Sequence, residues 1–373
     1  MDTEKLTLVR NKINIKRMKS LNYIAFIKFL AMIIIIKWHL FFWKKKPIDY
    51  GARMCELLFV ASGFLVGYNH YKRNMPCDYE TSFNYSYKHL RSFYPLELIN
   101  IIFGYYINKG KKYDLTEFSI LISNLLMLKS WSRHAILIAS FNGITWFLTD
   151  LLFCYFLAPV LLQGIKNIKN SVILFFIVSF IRVTTEEAIS HGAFNLFDAE
   201  FHRGPIIRLL EFYMGMLLTP MFFYFKHYMD EYKNKFLVKI IFTFIQIVLP
   251  IFIYFIMLKF NHQLLRCYFV LIFSFFIFII SYDYGILSDL FAHKLCVKIM
   301  SCQMEMFLFQ KAINNIFRFP TIKKNFISMF NNKQTQFLIK LFMIFICGYF
   351  YKILFKEKFA KLLDIIFFKK ISQ

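Results

Sequence analysis

The chain has 373 residues, of which 58% are hydrophobic and 20% aromatic, and its formal net charge is +24 at pH 7. Apolar runs of about 20 residues recur along its whole length, which excludes an ordinary soluble domain. The runs do not alternate as the strands of a membrane β-barrel do. Because only helices and closed barrels satisfy the backbone inside a bilayer, the sequence predicts an all-α, polytopic bundle of transmembrane helices.

Hydropathy windows of about 19 residues predict nine clear spans and two marginal ones. The clear spans lie near 22–43, 54–71, 92–108, 143–163, 205–225, 236–258, 263–282, 295–315 and 335–355. The marginal ones lie near 117–130 and 170–183. Basic residues precede the first span and follow the last, so both termini are predicted to be cytoplasmic. That orientation requires an even number of spans, and we predict about ten helices (ten or eleven).

The predicted organisation is a basic cytoplasmic leader at 1–20, a membrane domain at 21–355 and a basic amphipathic tail at 356–373 that lies on the cytoplasmic surface. The lysines cluster at helix ends, as expected for positive-inside flanking and attraction to anionic lipid, so we expect no nucleic-acid partner. The seven cysteines are odd in number and lie mostly in apolar runs. They indicate small core residues rather than disulfides or metal ligands, and no metal is expected.

The first span contains two ionisable residues, Lys28 and His39, with ten residues between them. An α-helix places them within roughly 20° of each other on one face and about 16 Å apart along the axis. Ionisable side chains inside a span usually face the bundle interior and carry function, and a neutral imidazole can act as a general base. The alternative is a satisfied buried histidine and a lysine that extends to the cytoplasmic interface.

The second span contains Ser62 followed by Gly63. A Ser-Gly pair lets a neighbouring helix approach closely and lets the hydroxyl bond across the contact. A nucleophilic role for Ser62 would need an adjacent base, and the sequence places none beside it. Close packing and a role in chemistry therefore both stay open.

The third span is preceded by Lys88 and Arg91, a basic pair that can bind phosphates or simply flank the membrane. Further along the chain, Trp146 is typical of an interfacial belt residue. An unpaired Asp150 in the span that Trp146 opens would be costly, so it is a candidate site residue.

The span near 205–225 contains Arg208 and Glu211, three residues apart. On a helix they can pair with each other, and either can also serve a site.

Six short motifs, in order over roughly residues 20–315, resemble those of the acyltransferase-3 family of integral membrane O-acyltransferases. They are Lys28 with His39, Ser62-Gly63-Phe64, the basic residues Lys88 and Arg91 before Tyr94-Pro95, Trp146-Phe147-Leu148, Glu211 to Met216, and Gly285 to Ser288.

The chain also departs from that family at three positions. Lys28 stands where the family more often has arginine. Arg91 lies four residues before Pro95 instead of three, and Gln310 stands where many members have histidine.

The resemblance implies transfer of an acyl group, usually acetyl from acetyl-CoA, to a sugar hydroxyl of a cell-surface polysaccharide or lipid-linked glycan. It implies that His39 is the base and that Lys28, Lys88 and Arg91 hold the charged parts of the donor. It also implies substrate or donor contacts for the remaining motif positions and their neighbours, namely Ser62, Trp146, Asp150, Arg208 and Glu211.

The chain is similar to the stand-alone members of that family, which lack a fused hydrolase-like domain. We therefore expect a multi-pass protein of the bacterial cytoplasmic membrane that serves O-acetylation of the cell envelope. The main alternative is a transporter or flippase of an anionic glycan or lipid precursor, although the sequence shows no inverted internal repeat. The acceptor, the acyl chain and the oligomeric state stay open.

Overall fold

The protein is described here from a computed structural model, which covers residues 21–41, 50–73, 78–108, 117–132, 135–165, 167–190, 204–233, 235–259, 267–330 and 332–368. The predicted leader at 1–20 and residues 369–373 of the predicted tail lie outside the described residues. The described chain is 87% helix and contains no strand, which confirms the all-α class.

The first half of the described chain forms the helices α1 (Asn22–Phe41), α2 (Tyr50–Arg73), α3 (Tyr79–Asn108), α4 (Glu117–Leu125), a 3₁₀ turn (Lys129–Trp131), α5 (Ala135–Ala139), α6 (Trp146–Gln163) and α7 (Ile168–Ser190). The second half forms α8 (Pro205–Met229), α9 (Phe236–Lys259), α10 (Phe269–Ile280), α11 (Ile286–Phe291), α12 (Lys294–Met300), α13 (Gln303–Ile316), α14 (Pro320–Met329), α15 (Lys333–Leu354) and α16 (Lys356–Phe368).

Seven helices in the described part of the chain are long and apolar enough to cross a membrane, namely α1, α2, α6, α7, α8, α9 and α15. The chain is therefore a membrane protein, and the total of ten or eleven spans stays a prediction. Some predicted spans have a different form. The described part of the one near 263–282, residues 267–282, forms the 12-residue helix α10. The one near 92–108 is the second half of the 30-residue helix α3.

Two further predicted segments are interrupted by local backbone chemistry. The span near 295–315 breaks into α12 and α13 where the hydroxyl of Ser301 donates to the Lys298 carbonyl at 2.6 Å and so competes with the helix ladder. The marginal segment near 117–130 forms the nine-residue helix α4 and a turn in which Met127 adopts a left-handed φ of 54°. Neither segment is one continuous spanning helix.

Helices α2 and α8 form the centre of the bundle. Their most apolar windows are 83% and 72% buried, whereas those of α9 and α15 are 22% and 17% buried and lie at the periphery. Helices α1, α6 and α10 pack on α2, α7 packs on α8, and α3 joins α6 to α13 and α16. Side chains on α2 and α8 are therefore the best shielded in the protein.

The contact of α2 with α8 depends on glycine at Gly63 and Gly215. A Cβ on Gly63 would lie 1.8 Å from the Phe212 carbonyl oxygen, and a Cβ on Gly215 would lie 2.0 Å from the Val60 carbonyl oxygen. Each backbone therefore occupies the space that a side chain of the other would need. This is the close approach that the Ser-Gly pair predicts.

We expect Gly63→Ala to destabilise the protein by about 1–3 kcal/mol or more, because the two backbones must separate. The measurement is the apparent melting temperature in detergent, followed by size-exclusion chromatography. Gly164→Ala is the matched control, since its Cβ would meet nothing closer than 3.4 Å. Equal melting temperatures for the two variants would contradict the close approach.

Candidate functional site

A direct contact joins two of the predicted site residues, Lys28 on α1 and Ser62 on α2. The Lys28 Nζ donates a hydrogen bond to the Ser62 Oγ at 3.1 Å, and Ser62 is only 3% exposed. Lys28 therefore points to the neighbouring helix and not to the cytoplasmic edge. Among the described residues, no carboxylate forms an ion pair with its amine.

Two aromatic side chains complete this group. The Tyr155 hydroxyl, on α6, interacts with the Ser62 hydroxyl, and the Tyr155 ring lies 4.0 Å from the ring of His89 on α3. The His89 Nδ1 is 2.8 Å from the carbonyl oxygen of Tyr85. Since a carbonyl only accepts, that nitrogen carries a hydrogen, and the Nε2 of a neutral ring is left as an acceptor.

We call Lys28, Ser62, His89 and Tyr155 the lysine–serine group. Its members come from four helices, α1, α2, α3 and α6. Tyr155 and His89 are not among the predicted site residues, because no spacing along the chain links residues on different helices. The group combines a cation, a hydroxyl, a phenol and an imidazole in a shielded place, which suits proton transfer at a bound substrate.

His39 lies near the end of α1 and is half-buried, with its ring 4.9 Å from that of Trp38. Its Cα is about 16 Å further along α1 than that of Lys28. The Lys28 amine donates a hydrogen bond to Ser62. Lys28 and His39 therefore lie at different depths of the bundle. In the structure, the two predicted catalytic residues, Lys28 and His39, are too far apart to act on the same substrate atom.

A second polar group is buried between α2, α7 and α8 and contains three arginines and three glutamates. These residues are Arg53 and Glu56 on α2, Arg182 and Glu186 on α7, and Arg208 and Glu211 on α8. We call them the arginine–glutamate cluster. All six are buried, and their formal charges cancel. Fully buried charges are tolerated only when they are paired in this way.

Arg182 is the hub of the arginine–glutamate cluster. Its guanidinium lies 2.8 Å from Glu211 and 3.4 Å from Glu56, and it also bonds Glu186. Arg208 lies 2.7 Å from Glu211, so the pair allowed by the i,i+3 spacing is present. These contacts account for both predicted site residues on α8 without a ligand. Sequence reasoning missed Arg182, although Glu186 follows it by four residues on α7, a spacing that allows an ion pair on a helix.

Asp150 and Trp146 lie against the edge of this cluster. The Arg208 guanidinium is 5.6 Å from the ring centroid of Trp146. The Trp146 ring therefore packs against a buried residue inside the bundle, even though Trp146 lies at the end of its own helix. Asp150 is fully buried and feels the charge of Arg208. Its carboxylate oxygens and the nearby Ser130 hydroxyl have no hydrogen bond of regular geometry. Asp150 is thus the least satisfied carboxylate of this region.

A third buried group surrounds Lys129 in the turn after α4. Its amine donates to the Asn124 Oδ1 at 3.0 Å and to the Asn142 carbonyl at 2.8 Å, and it lies 3.9 Å from Glu97 on α3. The Asn142 side chain donates to Glu97 at 3.2 Å. Irregular backbone at membrane depth persists only where such contacts satisfy it. Sequence reasoning missed Lys129 because the segment read as a marginal span.

The predicted phosphate-binding residues stand in different surroundings. Lys88 is exposed, whereas Arg91 pairs with Asp364 of α16 at 2.6 Å. The Tyr87 hydroxyl also donates to Asp364 at 3.0 Å. Burial, followed by this bond, raises the pKa of Tyr87 to about 12, so it stays a donor at neutral pH. The tail helix α16 therefore packs on α3. The sequence predicts only that the tail lies on the cytoplasmic surface of the membrane.

Within the described residues, no group of three or more His, Cys, Asp or Glu side chains has the arrangement of a metal site. No family model, curated protein or solved structure matches this chain.

We expect Arg182→Met to cost about 3–5 kcal/mol, because it leaves buried carboxylates without their central cation. The loss is measured as a lower melting temperature in detergent. Lys233→Met is the control, since Lys233 is 48% exposed and lies 3.9 Å from Asp230, and such pairs contribute little. A shift no larger than that of the control would show that the cluster does not hold the helices together.

Proposed function

We propose that this chain is a membrane O-acyltransferase that transfers an acyl group, acetyl from acetyl-CoA, to a sugar hydroxyl of a cell-surface polysaccharide or lipid-linked glycan. The observation that carries the proposal is the 3.1 Å contact of Lys28 with Ser62 inside the bundle. Acyl transfer needs a shielded place with proton acceptors and donors near the reacting carbonyl, and the lysine–serine group supplies them. The ordered motifs of the acyltransferase-3 resemblance support the same reaction.

In the direct form of this reaction, His39 accepts the proton of the sugar hydroxyl while the acyl group is transferred. Because Lys28 lies about 16 Å from His39 along α1, it binds a charged part of the donor and not the carbonyl next to His39. The phosphates of acetyl-CoA bind at Lys88 and Arg91. Lys88 is exposed and ready for such contacts, whereas Arg91 must first leave Asp364. With both termini in the cytoplasm of a bacterium, as proposed, Lys88 and Arg91 lie on the cytoplasmic side of the membrane, where acetyl-CoA is present.

The arginine–glutamate cluster fits a supporting role in this proposal. Arg208 bonds Glu211, and Glu211 also bonds Arg182 of α7, so the pair connects α8 to α7 and not to a substrate. Trp146 and Asp150 adjoin the same cluster and keep α6 against it. The residues proposed to touch substrate are therefore the lysine–serine group, His39 and the basic pair.

We expect His39→Ala to abolish acylation while the protein stays folded and membrane-inserted, because a general base contributes about 10²–10⁴-fold to rate. The assay incubates the purified protein with labelled acetyl-CoA and surface glycan and detects the product by mass spectrometry. Lys37→Ala is the control, since Lys37 is exposed on the same helix. Acylation retained in His39→Ala would remove His39 from the mechanism.

The buried charges also suit a transporter or flippase of an anionic glycan or lipid precursor, since intramembrane cations can bind an anionic passenger. The same labelling assay separates the two functions. A transporter would move the glycan across a proteoliposome membrane and leave no acetyl label on it.

We expect Asp364→Asn to lower the KM for acetyl-CoA by about fivefold at most, because it frees Arg91 from a competing carboxylate worth about 1 kcal/mol or less. The kcat should stay unchanged. The pair is more than a third exposed on each side, so the melting temperature should also change little. An unchanged KM would indicate that Arg91 does not bind the donor.

A further inference from the structure

We propose that Ser62 is an acyl-accepting nucleophile and that Lys28 is its general base, so that the acyl group passes through a Ser62 ester. The inference rests on the proposed function and adds to it a covalent stage. A serine nucleophile needs an adjacent base, and the structure supplies the neighbour that the sequence does not reveal.

The geometry of the pair suits proton transfer. The Lys28 Nζ and the Ser62 Oγ are 3.1 Å apart, within the range of about 2.6–3.2 Å required of a nucleophile and its base. Serine with lysine as its base is a known variant of the catalytic triad. With no described carboxylate paired to it, the Lys28 amine is not committed to an ion pair.

The identity of the base follows from the groups around Ser62. The Lys28 amine donates to its oxygen at 3.1 Å, and the Tyr155 hydroxyl lies nearby. A phenol is a donor near neutral pH, so Tyr155 is suited to orient the serine and Lys28 to receive its proton. His39 lies about 16 Å further along α1 and cannot take that role.

Ser62 is also held rigidly, which favours a reaction that depends on orientation. Its neighbour Gly63 is pressed against the Phe212 carbonyl of α8, so α2 cannot rotate or slide without separating the two helices. The Ser62 side chain is 3% exposed, which shields an ester on it from water. A nucleophile on a fixed helix and out of water is the arrangement that preorganised sites use.

Lysine at position 28 is itself informative. The resembling family more often has arginine there, which can hold an anion but cannot be deprotonated to act as a base. Lysine can do both, since its neutral amine is a competent base. The covalent route is therefore a property inferred for this chain from its own lysine and serine.

In the first half of the reaction, the Ser62 Oγ attacks the carbonyl carbon of an acyl thioester while the neutral Lys28 amine takes the hydroxyl proton. A C–O bond forms and the C–S bond breaks. The leaving thiolate takes the proton from the Lys28 ammonium, which gives a free thiol and a Ser62 ester.

In the second half, the sugar hydroxyl attacks the ester carbonyl and Lys28 takes its proton. The bond from the acyl carbon to the Ser62 Oγ breaks, and Lys28 returns the proton to that oxygen. Nothing is oxidised or reduced. In this route Lys28 is the base of both halves, and His39 holds the acceptor sugar instead of receiving its proton.

The test incubates the purified full chain with radiolabelled acetyl-CoA in the absence of glycan and locates the label by peptide mass spectrometry. We expect one acetyl group on Ser62 of the wild type and none in Ser62→Ala. Lys28→Arg keeps the positive charge but removes the base, so its labelling rate should fall by about 100-fold or more. Ser274→Ala should label fully, because Ser274 is a buried serine that bonds only the Val270 carbonyl of its own helix.

The outcomes separate this inference from the proposed function. If glycan is acetylated at the wild-type rate by Ser62→Ala, or if the label lies on Tyr155, the Ser62 ester is excluded while the acyltransferase stands. Wild-type labelling by Lys28→Arg would exclude Lys28 as the base. If the wild type acetylates neither itself nor glycan, the proposed function itself fails. His39→Ala should still label Ser62 while failing to acetylate glycan.

Discussion

The pairing of Arg182 with Glu56, Glu186 and Glu211 is the interaction on which the arrangement of the bundle depends. The helices α2, α7 and α8 each contribute buried charges, and none can rotate without exposing one of them to apolar surroundings at a cost of several kcal/mol. Apolar packing alone would allow neighbouring helices to slide, because lipid is as apolar as their side chains. The charges therefore set the rotation of α2, and that rotation turns Ser62 toward α1.

The glycine contact between α2 and α8 adds a second constraint at the same place. Paired charges fix which faces meet, and Gly63 and Gly215 fix how closely they meet. Together they constrain the helix that carries Ser62, the serine of the lysine–serine group. The residues that would bind the donor lie instead on α3 and under the tail helix, where the ion pair of Arg91 is partly exposed and easily exchanged. On the proposed function, this arrangement would place a fixed reaction centre beside an adjustable binding surface, a common division of roles in enzymes.

The fold class follows from hydropathy alone, because long apolar runs permit few alternatives. The sequence also indicates the Arg208–Glu211 pair and the close packing at Gly63, since each depends on short spacing along one helix. Tyr155 and Lys129 could not be predicted in this way, because their partners belong to other helices. The residue types alone do not determine how far apart two side chains on different helices lie. Helix boundaries failed for a local reason, since the Ser301 hydroxyl interrupted one predicted segment and the left-handed turn at Met127 interrupted another.

The spacing of Lys28 and His39 on α1 has a consequence for the direction of the reaction. A hydrocarbon core is about 30 Å thick, so their axial separation of about 16 Å corresponds to one leaflet. One face of one helix thus presents a polar group to each half of the bilayer. On the proposed function, a chain built in this way would receive the acyl group from one aqueous compartment and deliver it toward the other, so that the chemical step would also be a step across the membrane.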